Sequence, residues 1–245
     1  MSDDDGRRSE LVTSLGAVRS RIAEVCAACG RNAREITLIA VTKTYPAVDV
    51  VTLARLGVRD VGESRDQEAT AKVAEVAALL TEPGEQPAPP DWHFLGRIQS
   101  RKCRSIARYA HAVHSLDRAE LATRLADAVA ALGRSPIEVF VQLSLDGDPE
   151  RGGVVADELA TLADAVAARP ELALRGVMAV APLGADPEAA FAEVQRVSAR
   201  LRGQHPGAGS ISAGMSADLD AALRHGATHV RIGTALLGRR APVIG

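Results

Sequence analysis

The feature that most constrains this chain is an alternation of two kinds of segment. Eight short apolar stretches recur at 36–42, 59–63, 92–96, 112–116, 137–145, 173–180, 209–214 and 228–233, and each but the last is followed by Ala/Leu/Arg-rich sequence long enough for a helix. The first of them, ITLIAVT, is a β-branched run of the kind buried on both faces of a parallel sheet. Strand–helix alternation implies right-handed βαβ crossovers and an all-parallel sheet. Eight such units close naturally into a single (β/α)8 barrel of the TIM type, and 245 residues lie within the size of one such domain spanning 1–245. A doubly wound open sheet is the competing architecture, separated only by the strand count. Ahead of the first strand, Leu11, Leu15, Val18, Ile22 and Val25 recur every three to four positions. That spacing predicts an extra N-terminal helix, stopped by Gly30 and preceded by a flexible segment at 1–9. The Pro-rich stretch at 81–91 reads as a surface loop.

Composition narrows the classes of function. Hydrophobic residues at 47% and charged residues at 24% describe a globular chain, not a disordered one. A net charge of -2 offers no general attraction to nucleic acid or anionic lipid, so neither is an expected partner. No apolar run is long enough to span a membrane, and MSDDDGRRSE lacks the apolar core of an export signal. Three cysteines, Cys26, Cys29 and Cys103, form no disulfide framework. Together these place the chain in the reducing cytoplasm.

In a β/α barrel, functional groups gather at the C-terminal strand ends, beneath the βα loops. The first strand ends in V-T-K-T, which puts Lys43 at the mouth directly after an apolar run. Low dielectric there disfavours the charged amine, and a neutral amine attacks aldehydes. A lysine simply reaching out to water is the plainer reading of the same residue. The eighth strand brings Arg231, then Gly233 and Thr234 leading into a short helix; the seventh offers Ser212 and Gly214 in I-S-A-G-M-S. Glycine and hydroxyl groups at these two turns suit a phosphate, the frequent anion site of this fold.

These residues sit in strings that resemble a known family, the pyridoxal phosphate homeostasis proteins, relatives of the barrel domain of alanine racemase. The strings are AVTKTYP (40–46), VGESRDQE (61–68), WHFLGRIQSRK (92–102), VHSLDR (113–118), VQLSLDGDPERGG (141–153), GVMAVAP (176–182), ISAGMSADLDAAL (211–223) and VRIGTALLG (230–238). The resemblance implies a vitamin B6 cofactor, pyridoxal 5′-phosphate, bound as a Schiff base on Lys43. It further implies phosphate contacts from Ser212, Gly233 and Thr234, Gly214 among the cofactor-binding residues, and Arg231 facing the pyridine nitrogen. Ser64, His93 and Met178 complete the implied cofactor-binding set; His114 is a further candidate for the pocket wall. Three departures stand out: Ser64 replaces the family's usual asparagine, Arg97 and Arg101 replace proline and asparagine, and Ala213 replaces methionine. None touches Lys43.

The same resemblance favours a carrier over an enzyme. An arginine at the ring nitrogen does not protonate it and so weakens the electron sink. Alanine racemase compensates with a tyrosine from a second domain, for which no room is expected before Gly245; Tyr45 and Tyr109 lie in the first βα loop and the third helix region. The expected role is storage and delivery of the cofactor to apo-enzymes met transiently, by a monomer. The alternative is an amino-acid racemase or lyase with the same cofactor. Cys26-x-x-Cys29 lies within the first helix without a second pair, and His111 and His114, read as a surface and a barrel-end histidine, lack a third ligand, so no metal site is expected. Arg97, Arg101, Lys102 and Arg104 read as a solvated basic face.

Overall fold

The computed structural model describes residues 3–81 and 87–238. Eight parallel strands close in sequence order: β1 Thr37–Val41, β2 Asp60–Glu63, β3 Asp91–Phe94, β4 Ala112–Leu116, β5 Ile137–Gln142, β6 Leu172–Met178, β7 Ser210–Ser212 and β8 His229–Ile232. Closure is made by β8 pairing with β1, with Ile39 level with Arg231 on one side and with Asp60 on the other. The open sheet is thereby excluded, and every strand end lies within three residues of the apolar segment read from sequence, β4 coinciding with its segment and β3 and β6 starting one residue earlier. Residues 82–86 of the Pro-rich loop lie outside the described residues.

The outer layer consists of α1 Asp3–Ala28, α2 Ala47–Arg55, α3 Asp66–Leu79, α4 Cys103–Tyr109, α5 Ala119–Leu132, α6 Leu159–Ala167, α7 Pro187–Gln204, α8 Leu219–Arg224 and α9 Thr234–Leu237. Their inner faces carry the apolar stripe. In α5 the buried residues Leu121, Ala122, Leu125, Ala126 and Val129 share one face, and the helix ends on Gly133 in the left-handed conformation. Asp186 caps α7 by accepting from the Glu188 N–H, with Pro187 in the first turn.

Helix α1 begins before its apolar stripe does. Leu11, Leu15, Val18, Ile22 and Cys26 are buried along one line, each aliphatic side chain contributing about 2 kcal/mol by leaving water. The expectation of a flexible segment at 1–9 is corrected for residues 3–9, which are helical. The physical reason is polar: Arg7 donates to both carboxylate oxygens of buried Asp49, at 3.1 and 2.7 Å, and to Leu237 O at 3.1 Å. A single guanidinium thus joins α1 to α2 and α9, which periodicity of apolar residues cannot reveal.

The interior of the barrel departs from the usual aliphatic layers. Strand alternation sends Val230 and Ile232 outward into the helix-facing core, and His229 and Arg231 inward. Buried polar residues His93, His114, Ser212 and Arg231 share the interior with Phe140, which stacks on His114 at 4.4 Å, whereas Glu63 faces outward to Lys72 of α3.

Candidate functional site

Beyond β1, Thr42 turns into the core and Lys43 lies half-buried in the turn that follows. Thr44 there adopts φ 68°, a left-handed conformation uncommon for a β-branched residue. Two side chains of α3 hold this strained turn. The Lys72 ammonium donates to Thr42 O at 2.7 Å, Glu63 Oε1 at 2.7 Å and Glu68 Oε1 at 3.1 Å, using all three of its hydrogens. Glu68 in turn accepts from the Thr44 N–H. Thr42 Oγ1 adds a 2.7 Å bond to Glu63. Lys43 is therefore flanked by two anchored residues, while among the described residues its own amine has no hydrogen-bond or ion-pair partner.

The carboxylates of this support differ. Burial pushes Glu63 above the ordinary carboxylate range despite Lys72 and Thr42, and its Oε2 has no partner among the described residues. Glu68 is less enclosed; burial works against ionisation, but the Thr44 N–H and Lys72 outweigh it and hold the group low.

Arg231 projects from β8 into the barrel. Its Nη1 donates to Ser212 Oγ at 2.7 Å and its Nη2 to Ala179 O at 2.9 Å. Only 5% of the residue is exposed, and among the described residues no carboxylate lies within ion-pair distance. Burial lowers its pKa to about 10, which leaves it charged at neutral pH. An enclosed cation with neutral partners only is costly unless an acceptor is supplied from outside. Met178 is buried level with Ser212 in the β6–β7 register.

At the rim above, Gly233 abuts the end of β1, where a Cβ on it would lie 3.5 Å from Val41 Cβ. Lys43 follows Val41 by two residues, so the lysine turn and the Gly233–Thr234 turn are neighbours. Thr234 is exposed, and Gly214 sits below in a left-handed conformation, φ 91°, with no space for a side chain: a Cβ would come within 2.6 Å of Ala222 Cβ. Ser216 is the residue that sequence reasoning missed. Its Oγ lies 3.3 Å from the Ala235 N–H at the start of α9, whereas Ser212 is enclosed and bonded to both Arg231 and His114. The signal was present as the second serine of I-S-A-G-M-S, but only tertiary structure separates an inward serine from one at the rim.

Two expected residues lie elsewhere. Ser64 follows β2 and lines an open recess of about 310 Å³ with Phe94, Arg97, Arg101 and Lys102; Arg97, Arg101 and Arg104 are exposed, as a solvated basic face requires. His93 is inside the barrel, with Nε2 3.0 Å from Asp60 and Nδ1 2.8 Å from His114, so it reaches the mouth only through other residues. His114, expected at the barrel end, is fully buried mid-strand. Among the described residues no cluster of His, Cys, Asp or Glu could hold a metal ion.

The closed eight-stranded parallel barrel is of the alanine racemase type, for the family model described as "Alanine racemase, N-terminal domain" matches residues 13–241. Within that class the relatives are specific. The pyridoxal phosphate homeostasis protein of Mycobacterium leprae is 47% identical over 241 residues, covering 95% of this chain and 93% of its own. That of Pseudomonas aeruginosa is 40% identical over 232 residues, covering 95% and 96%. The solved structure of PipY from Synechococcus elongatus with pyridoxal phosphate bound superposes with a TM-score of 0.74 at 34% identity, covering 89% of this chain and all of that one. The chain belongs to the pyridoxal phosphate homeostasis protein family.

Proposed function

We propose that this protein binds pyridoxal 5′-phosphate covalently through the Lys43 amine and keeps it available to apo-enzymes, acting in cofactor homeostasis by storage and delivery. The observation that carries the reading is the unpartnered Lys43 amine in a turn fixed on both sides by α3. The family supports it, since PipY, a 34% identical relative, is described with this cofactor bound.

The donor set fits such a ligand. When bound, the cofactor supplies an aldehyde that condenses reversibly with an amine and a ring that withdraws electrons. Arg231 offers unused N–H donors to a ring nitrogen and cannot surrender a proton to it at neutral pH. Gly233, Thr234 and Ser216 present a rim for the phosphate, backed by Gly214; Ser212 and Met178 form the floor, with Ser212 acting through Arg231.

Absence of turnover belongs to the same proposal, and the fate of the tyrosines supports it. Tyr45 donates its hydroxyl to Gly238 O at 2.7 Å. Tyr109 is largely buried beside Asp66 and Glu63, and burial followed by those charges raises its pKa far above the ordinary value. Neither is poised as a second base at Lys43. A cytoplasmic monomer is part of the reading as well; the three free thiols fit a reducing compartment.

Borohydride reduction of the loaded protein followed by peptide mass analysis tests the attachment. The modified peptide is expected to contain Lys43, and Lys43→Ala to lose both the label and the visible absorbance band. Label retained on another lysine overturns the assignment. Incubation with an apo-enzyme is expected to restore that enzyme's activity, while rapid racemisation of a free amino acid would instead establish the enzymatic alternative.

A further inference from the structure

A continuous hydrogen-bonded chain crosses the barrel interior from its N-terminal end to Arg231. Asp60 Oδ1 is 3.0 Å from His93 Nε2; His93 Nδ1 is 2.8 Å from His114 Nε2; His114 Nδ1 is 2.8 Å from Ser212 Oγ; and Ser212 Oγ is 2.7 Å from Arg231 Nη1. Asp60 opens β2 and borders a cavity at the N-terminal ends of β1 and β2, whereas Arg231 is the third of the four residues of β8, next to its C-terminal end.

The two ends fix every proton between them. A guanidinium only donates, and an ionised carboxylate only accepts. Because Asp60 accepts, His93 must carry its hydrogen on Nε2, which leaves Nδ1 bare. His114 must then donate from Nε2 and accept at Nδ1, so the Ser212 hydroxyl donates to His114 and its lone pair receives Arg231. With both imidazoles neutral, only this arrangement satisfies all four contacts. His114 is suited to neutrality: it is enclosed, stacked on Phe140, and held well below its ordinary pKa by burial and then by His93 and Arg231.

We propose that Asp60 is a positioning residue for the site at the opposite end of the barrel: it sets the tautomers of His93 and His114 and thereby the hydroxyl orientation of Ser212 that anchors Arg231. Asp60 is partly exposed and borders a cavity of about 460 Å³ with Arg19, Arg34 and Arg59 at the N-terminal end, so the far end of the chain is open to solvent ions. The coupling to Arg231 stands on this geometry alone. Its consequence for the cofactor rests on the proposed function.

The test is ¹⁵N-histidine NMR of the cofactor-free protein, which reads the protonation of each ring nitrogen. In the unaltered protein both His93 and His114 are expected as neutral Nε2–H tautomers; a proton on Nδ1 of His114 overturns the proposal. In Asp60→Ala, a partly exposed position whose truncation leaves the core packing intact, both histidines are expected to leave the pure Nε2–H state together. A change at His93 with none at His114, or at neither, overturns it. Loading the same variant with pyridoxal 5′-phosphate gives the second arm: its absorbance maximum or its pH profile is expected to shift while borohydride labelling of Lys43 persists. Coupled tautomers with an unchanged spectrum overturn the step from Arg231 to the cofactor, and loss of Lys43 labelling in the unaltered protein overturns the functional reading, leaving the chain itself standing.

Discussion

Lys72 places its ammonium 2.7 Å from Glu63 Oε1 beneath the turn that carries Lys43, and both members of the pair are almost completely buried. The same ammonium caps Thr42 O, so the ion pair and the lysine turn are one unit. Removing one partner leaves an uncompensated buried charge. Lys72→Met is therefore expected to destabilise the fold by about 3–5 kcal/mol and to weaken cofactor binding by releasing the turn. Glu63→Gln combined with Lys72→Met is expected to recover most of that stability while the binding defect persists. Urea unfolding and cofactor titration of the single and double variants measure the two effects; a single variant as stable as the unaltered protein would refute the charge argument.

The clamp of Arg7 on Asp49 is the second energetic dependency. Arg7→Ala leaves Asp49 buried with its donors gone and is expected to cost about 2 kcal/mol, visible as a lower urea midpoint. Arg7→Lys is expected to restore less than half, because one ammonium cannot make the two-pronged contact. Recovery of the full midpoint by lysine would show that charge alone matters at this position.

The buried histidines make stability depend on pH. Burial, then repulsion from His93, lowers His229 to about 4, and His114 lies well below its ordinary value as well. Folded-state values below the unfolded value mean that the unfolded chain binds more protons in the interval between them. Stability is thus full above about pH 6.5 and falls by about 1.4 kcal/mol per pH unit for each such histidine as acid is added, down to about pH 4 for His229. His229→Gln is expected to flatten the slope of unfolding free energy against pH by about one proton; identical slopes would exclude His229 as a contributor.

How far the sequence carried these conclusions depended on what each signal reports. Apolar runs located all eight strands because burial is written into residue type and spacing, and the placement of Lys43, Gly233 and Thr234 just beyond strand ends was legible with them. The chain from Asp60 to Arg231 was not. His93 and His114 stand 21 residues apart, and Ser212 a further 98 from His114, so their contacts are products of barrel closure that no local window contains. The basic run after β3 was legible as a solvated face, since Arg97, Arg101 and Arg104 are exposed; the pairing of Lys102 with Asp66 at 3.1 Å across a loop was not.

The two serines of the β7 turn separate direct contact from support. Ser216 stands at the rim beside the Ala235 N–H, so Ser216→Ala removes one donor to a bound phosphate and is expected to raise the dissociation constant for pyridoxal 5′-phosphate about tenfold, equivalent to about 1.4 kcal/mol. Its effect should be the same for inorganic phosphate competing at the site, because the contact is with the anion alone. Ser212→Ala acts differently. It deprives both Arg231 and His114 of their partner, so the expected change is in the spectrum of the bound cofactor and in protein stability, with phosphate competition unaltered. Equal effects of both substitutions on phosphate competition would return Ser212 to the direct role that its place in the sequence suggested.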